Sequence, residues 1–147
     1  MEWLIQLQGQ LVGLDTAPII YFVEENPNYV AMMDAFFAAL HHQEFSAVTS
    51  AITVTEVLVH PLRSNNETIA QQYRDILLNS DELTVIDVSP AIAEIAARLR
   101  AERNLRTPDA IQLATAIDSG ATFFLTNDSG FPAIPELQIL VLDDLSA

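Results

Sequence analysis

Four acids stand where a carboxylate could do chemistry: Asp15 after LVGL, Glu56 inside ITVTEVLVH, Asp109 in LRTPDAIQLATAI and Asp128 in LTNDSGF. Each has an ordinary account when taken alone. Asp15 can cap a helix at a strand–helix joint, and Asp109 can complement the dipole of the helix it opens. Asp128 can form a turn among Asn, Ser and Gly. Glu56 can face solvent, although a carboxylate turned inward from so apolar a segment would need a partner or a metal.

What the chain lacks narrows the chemistry to these residues. There is no Cys among the 147 residues, which excludes disulfides, thiolate nucleophiles and Cys-ligated metals. All six basic residues are Arg, so neither Schiff-base chemistry nor a phosphate-binding P-loop lysine is available. His41, His42 and His60 fit no metal-ligand spacing, and the four Gly form neither GxGxxG nor GxSxG. Any catalysis must use carboxylates, hydroxyls, or a metal held by carboxylates. A net charge of −14 disfavours a generic nucleic-acid binder. It does not disfavour a hydrolase whose bound cations turn an acidic cluster into a phosphate site.

The elements that must position these acids alternate along the chain. Residues 10–15, 45–50, 83–88, 121–128 and 137–144 read as short strands. Residues 26–43, 51–63, 65–79 and 89–104 read as helices, with Pro61 limiting the second and Ser89 and Pro90 starting the last. A further helix follows in 105–117, with Thr107 as its N-cap, Pro108 at its first position and Gly120 as its C-cap. This alternation predicts one α/β domain spanning 1–147 around a mainly parallel sheet of about five strands, with residues 1–10 an N-terminal extension. In such sheets ligands bind beyond the carboxyl ends of the strands, where Asp15, Asp109 and Asp128 would converge. Residues 1–10 fit either a strand (Ile5, Leu7, Leu11) or a helical face (Trp3, Leu7, Leu11). A mean hydropathy of +0.26 lies within the globular range, and no apolar run reaches membrane-spanning length. Glu2 and three Gln interrupt what a signal peptide would need, so the expected location is the cytoplasm.

LDTAPIIYFVEEN, ITVTEVLVHPLR, TPDAIQLATAI and FFLTNDSGF, in this order and spacing, resemble the PIN-domain ribonucleases, most of all the VapC-type toxins of toxin–antitoxin pairs. The resemblance covers roughly residues 11–145. It implies a three-layer α/β/α fold in which Asp15, Glu56, Asp109 and Asp128 are catalytic and hold Mg²⁺ or Mn²⁺. Thr16 and Thr126 match hydroxyl positions beside the first and last acids. It implies endonucleolytic hydrolysis of RNA to a 3′-hydroxyl and a 5′-phosphate, and a small antitoxin partner, while the apolar composition and 16.2 kDa size suit a homodimer. Two features depart from the family pattern: Ala17 stands where an Asn is frequent, and no basic residue follows Asp128.

Arg98, Arg100, Arg103 and Arg106 precede Asp109. They read mainly as a solvated face with Glu94–Arg98 and Glu102–Arg106 pairs, while Arg106 is the best placed to meet an RNA phosphate. His41 and His42 read as helix-end solvation, and Tyr21, Phe22, Phe36 and Phe37 as core or interface. Two other functions compete. One is a catalytically silent PIN domain that binds RNA or protein. The other is a phosphatase using Asp15 as nucleophile, which Ala17 disfavours because a second Asp belongs there.

Overall fold

In the computed structural model, which describes residues 1–145, five strands form one parallel sheet in the order β3-β2-β1-β4-β5. The strands are β1 (Leu11–Leu14), β2 (Ser46–Ser50), β3 (Leu83–Ile86), β4 (Phe123–Thr126) and β5 (Gln138–Val141). The helices are α1 (Thr16–Val23), α2 (Val30–His41), α3 (Ile52–Arg63), α4 (Glu67–Leu78), α5 (Pro90–Glu102) and α6 (Thr107–Asp118). The expected α/β/α layering is present. Side chains alternate across the sheet, so Val12, Leu14, Phe123 and Leu125 enter a core with α1, α2 and α4. Phe124 enters a second core with α5 and α6 on the opposite face.

This strand order places the site. From β1 the chain winds outward through β2 and β3, then returns to set β4 on the other side of β1. The reversal lies between β1 and β4, and the crevice beyond their carboxyl ends is where α/β sheets bind ligands. Asp15 follows β1 and Asp128 lies two residues beyond β4, with Leu14 directly opposite Leu125. The helix carrying Asp109 packs closely here because β1 offers Gly13. A Cβ at Gly13 would stand 2.7 Å from Ala116 Cβ of α6 and 3.1 Å from Phe124 Cδ1.

Most element boundaries fall where periodicity puts them. Ser89 caps α5, its hydroxyl accepting from Ile92 N at 3.2 Å. Gly120 ends α6 at φ +80°, a conformation that favours glycine. The helix α3 ends at Arg63, the expected bound, with Pro61 accommodated in its last turn because its fixed φ suits a helix and only one backbone N–H is lost. Two expectations are corrected, both at the start of α6. The N-cap of α6 is Arg106 rather than Thr107, with no side-chain cap bond, so Thr107 already lies inside the helix. Arg106 bonds Asp109 rather than Glu102, and Glu102 pairs with Arg103 at 3.6 Å. Glu94 and Arg98 do pair, at 3.7 Å.

Residues Glu2–Leu7 form a 3₁₀ helix that buries Trp3 and Leu7, so the helical alternative is realised for those two residues, while Leu11 begins β1. Trp3 stacks on Phe36 at 6.3 Å between ring centroids, and Phe36 and Phe37 lie in the core as expected. His41 pairs with Glu82. No helix among the described residues is long and apolar enough to cross a membrane.

Candidate active site

Asp15 is the pivot. It caps α1, with Thr16 N donating to its Oδ1 at 2.8 Å, while Thr126 Oγ1 donates to its Oδ2 at 2.7 Å. Burial pushes its pKa above the ordinary carboxylate value. The bonds from Thr126 and Thr16 oppose that shift, and the charges of Asp109 and Glu56 reinforce it. Capping and chemistry are therefore compatible at this residue: the cap fixes where the carboxylate points.

Thr126 also accepts from Asp128 N at 3.0 Å, so one hydroxyl joins the first and last acids. Asp128 Oδ1 accepts from Gly130 N at 2.8 Å, closing the turn that TNDSG suggests. On the other side, Thr16 Oγ1 donates to Glu56 Oε1 at 2.7 Å. Glu56 is exposed, as its solvated account requires, yet it is tied back to the residue beside Asp15. Thr126 thus joins two acids through its hydroxyl, whereas Thr16 joins two by its backbone N–H to Asp15 and its hydroxyl to Glu56.

Asp109 is largely covered, and its carboxylate receives Arg106 Nε at 3.0 Å and Nη2 at 3.4 Å. That bond holds the Arg106 guanidinium more firmly protonated, and Glu56 and Asp128 add to the effect. Three acids from α3, α6 and the β4 loop therefore lie within electrostatic reach of one cation. Among the described residues, no three carboxylate or imidazole groups are gathered tightly enough to enclose an ion. The other arginines of the run are engaged elsewhere: Arg100 Nε bonds Leu105 O at 3.0 Å and Arg103 Nη2 reaches Ala133 O at 3.5 Å.

A family model for the PIN domain matches residues 12–137. The chain belongs to the PIN domain family. No curated protein matches it significantly. As a PIN domain it is similar in fold to VapBC2 of Rickettsia felis, solved with a DNA fragment of its promoter, at 20% identity and TM-score 0.69, covering 89% of this chain and 98% of that one. It is also similar to a Klebsiella pneumoniae toxin–antitoxin complex, at 26% identity and TM-score 0.65, covering 91% and 98%. A third is VapC20 of Mycobacterium tuberculosis, a sarcin–ricin loop cleaving toxin, at 17% identity and TM-score 0.63, covering 78% and 86%.

Behind the acids of this PIN domain lies a set of polar residues that pattern reading did not single out. Thr49, Ser50, Thr53 and Gln112 are all buried. Gln112 Nε2 donates to Thr53 Oγ1 at 2.7 Å, and Thr53 and Thr49 hydroxyls lie 2.8 Å apart. The available signal was the hydroxyl-rich VTSAITVTE, with Thr49 and Thr53 one helical turn apart in spacing, and a lone Gln on an apolar helix.

Proposed function

We propose that this PIN domain is a metal-dependent endoribonuclease and the toxin of a toxin–antitoxin pair. The observation that carries the proposal is the placement of Asp15 at the β1–β4 reversal, joined to Asp128 through Thr126 and to Glu56 through Thr16, with Asp109 close enough to act on it. The donor set fits Mg²⁺ or Mn²⁺, which take hard carboxylate oxygens. The Arg106 guanidinium held by Asp109, with Glu56 and Asp128 adding to the attraction, supports a locus suited to positive charge.

We assign Asp15, Glu56, Asp109 and Asp128 to hold the metal. When bound, it would neutralise charge developing at the phosphodiester and lower the pKa of a bound water. The chain's own residues do the rest. Thr126 and the backbone N–H of Thr16 fix the Asp15 carboxylate, and Thr16 orients Glu56. Arg106, three-quarters exposed at the mouth, would exchange Asp109 for an RNA phosphate.

The antitoxin partner fits a groove of about 1050 Å³ between α1, α2 and α4. Its lining mixes apolar Phe22, Phe37, Ile69 and Ile76 with Glu24, Glu25, Asp34, Asp75 and Glu82. That composition suits a basic amphipathic segment. Val59 and Leu62, exposed on α3, offer an apolar patch for the homodimer. With RNA as substrate and an antitoxin as partner, the protein acts in the cytoplasm.

Purified protein is expected to cleave labelled RNA in Mn²⁺ or Mg²⁺, leaving 5′-phosphate ends, and to stop in EDTA. Cleavage that persists in EDTA would overturn the metal-carboxylate mechanism. The Arg106–Asp109 pair favours a second reading, a silent PIN domain that binds RNA or protein, because it withholds one acid. Absence of both Mn²⁺ binding and cleavage across a total-RNA panel would establish that reading. Thr126→Val should weaken Mn²⁺ binding about 10- to 100-fold by calorimetry, since hydrogen bonds that orient metal-holding carboxylates contribute on that scale.

A further inference from the structure

The polar residues behind the acids form a chain of hydrogen bonds whose direction can be read from the atoms. Thr49 Oγ1 lies 2.9 Å from the carbonyl oxygen of Leu14, which can only accept, so the Thr49 hydrogen is spent there. Thr53 must then donate to Thr49 across their 2.8 Å contact. Its own oxygen is left to accept, and Gln112 Nε2 supplies the hydrogen at 2.7 Å. The second Nε2 hydrogen points toward Thr16 Oγ1 at 3.4 Å. Thr16 in turn donates to Glu56 Oε1. The amide orientation has a separate support: its Oε1 faces the donor Ser50 N at 3.4 Å. The two ends of the amide are thus assigned independently, from a carbonyl on one side and an N–H on the other.

We propose that Gln112 is a positioning residue for Glu56, acting through Thr16. Its two N–H groups face the oxygens of Thr53 and Thr16, so the Thr16 hydrogen is directed to Glu56. Without the amide, Thr53 Oγ1, 3.5 Å from Thr16 Oγ1, becomes a competing acceptor. The placement matters because Gln112 sits one turn after Asp109 on α6, while Thr53 sits one turn before Glu56 on α3. One amide therefore links the helices that carry two of the four acids. It is 2% exposed, so the bonds are made away from competing water. The consequence for metal binding rests on the proposed ribonuclease reading, whereas the consequence for the Glu56 carboxylate does not.

Gln112→Met removes both donors at similar volume, and Ile111→Val on the same helix controls for packing. In the metal-free protein with ¹³C-labelled glutamate carboxyls, the Glu56 line should move and broaden in Gln112→Met, as in Thr16→Val, and stay in place in Ile111→Val. Mn²⁺ affinity by calorimetry should fall about 10-fold or more in Gln112→Met, with no further fall when the same change is made in Glu56→Gln. If Gln112→Met does not unfold cooperatively, Gln112→Asn, one methylene shorter, takes its place under the same readouts. A Glu56 line unmoved in the folded variant would overturn the proposal, as would an equal Mn²⁺ loss in the Glu56→Gln background. If the unmutated protein binds no Mn²⁺, the metal reading fails, and the carboxylate line still decides the role of Gln112.

Discussion

Asp15→Asn and Asp109→Asn should each lower Mn²⁺-dependent RNA cleavage about 10²- to 10³-fold, measured as initial rates at saturating metal. Each removes a negative ligand at the proposed cation locus, and the metal's stabilisation of the transition state is several kcal/mol, at about 1.4 kcal/mol per tenfold in rate. The two variants should nonetheless part company in stability when metal is removed by a chelator. Burial raises the Asp15 pKa above its ordinary value of 3.8. For an acid shifted upward, the folded state holds its proton more tightly than the unfolded chain. Asp15 therefore subtracts no stability at pH well below 3.8, and subtracts progressively more as pH rises through its folded pKa. Asp15→Asn removes that penalty, so its urea midpoint at neutral pH should exceed that of the unmutated protein. At pH 3 the difference should vanish. Asp109→Asn should show no such gain, because its carboxylate is compensated by Arg106. Equal stability of the two variants at neutral pH would contradict the burial argument.

Gly13→Ala should cost about 1–3 kcal/mol, the range for overpacking a close-packed interior, and lower the melting temperature by roughly 3–10 °C. The new Cβ would meet Ala116 Cβ at 2.7 Å, and that atom cannot rotate away because it is fixed to the backbone of α6. Relief requires α6 to lift from the sheet. Since α6 begins with the turn that carries Asp109 and Asp15 directly follows β1, the same lift separates two of the acids. Mn²⁺ affinity should fall together with stability. Adding Ala116→Gly removes the opposing methyl group, so the double variant should regain part of both losses despite the roughly 1 kcal/mol cost of glycine in a helix. Strictly additive losses in the double variant would show that the close approach of α6 to β1 is not the cause.

Much of this protein is legible in its sequence because the signals are local. The five strands and the main helices follow from runs of apolar residues at spacings of two or of three to four, bounded by Ser89, Pro90 and Gly120. The absence of Cys and Lys, with the positions of four acids relative to those elements, already confined the chemistry to carboxylates and hydroxyls. The N-cap of α6 lay one residue from expectation, because cap geometry depends on backbone angles that composition does not set.

Only the tertiary structure decided which partners those residues take. Arg106 could satisfy Glu102 or Asp109 by helical spacing, and the break between α5 and α6 makes it the N-cap of the second helix, where Asp109 is in reach. The fate of residues 1–10 turned on Phe36, whose ring receives Trp3. The hydroxyls of Thr49 and Thr53 and the amide of Gln112 carry no periodic signature, and they meet across 59 residues of chain between Thr53 and Gln112. A polar side chain in an apolar segment shows that it needs a hydrogen-bond partner once buried. Which partner it finds depends on how the sheet brings β2, α3 and α6 together around the end of β1.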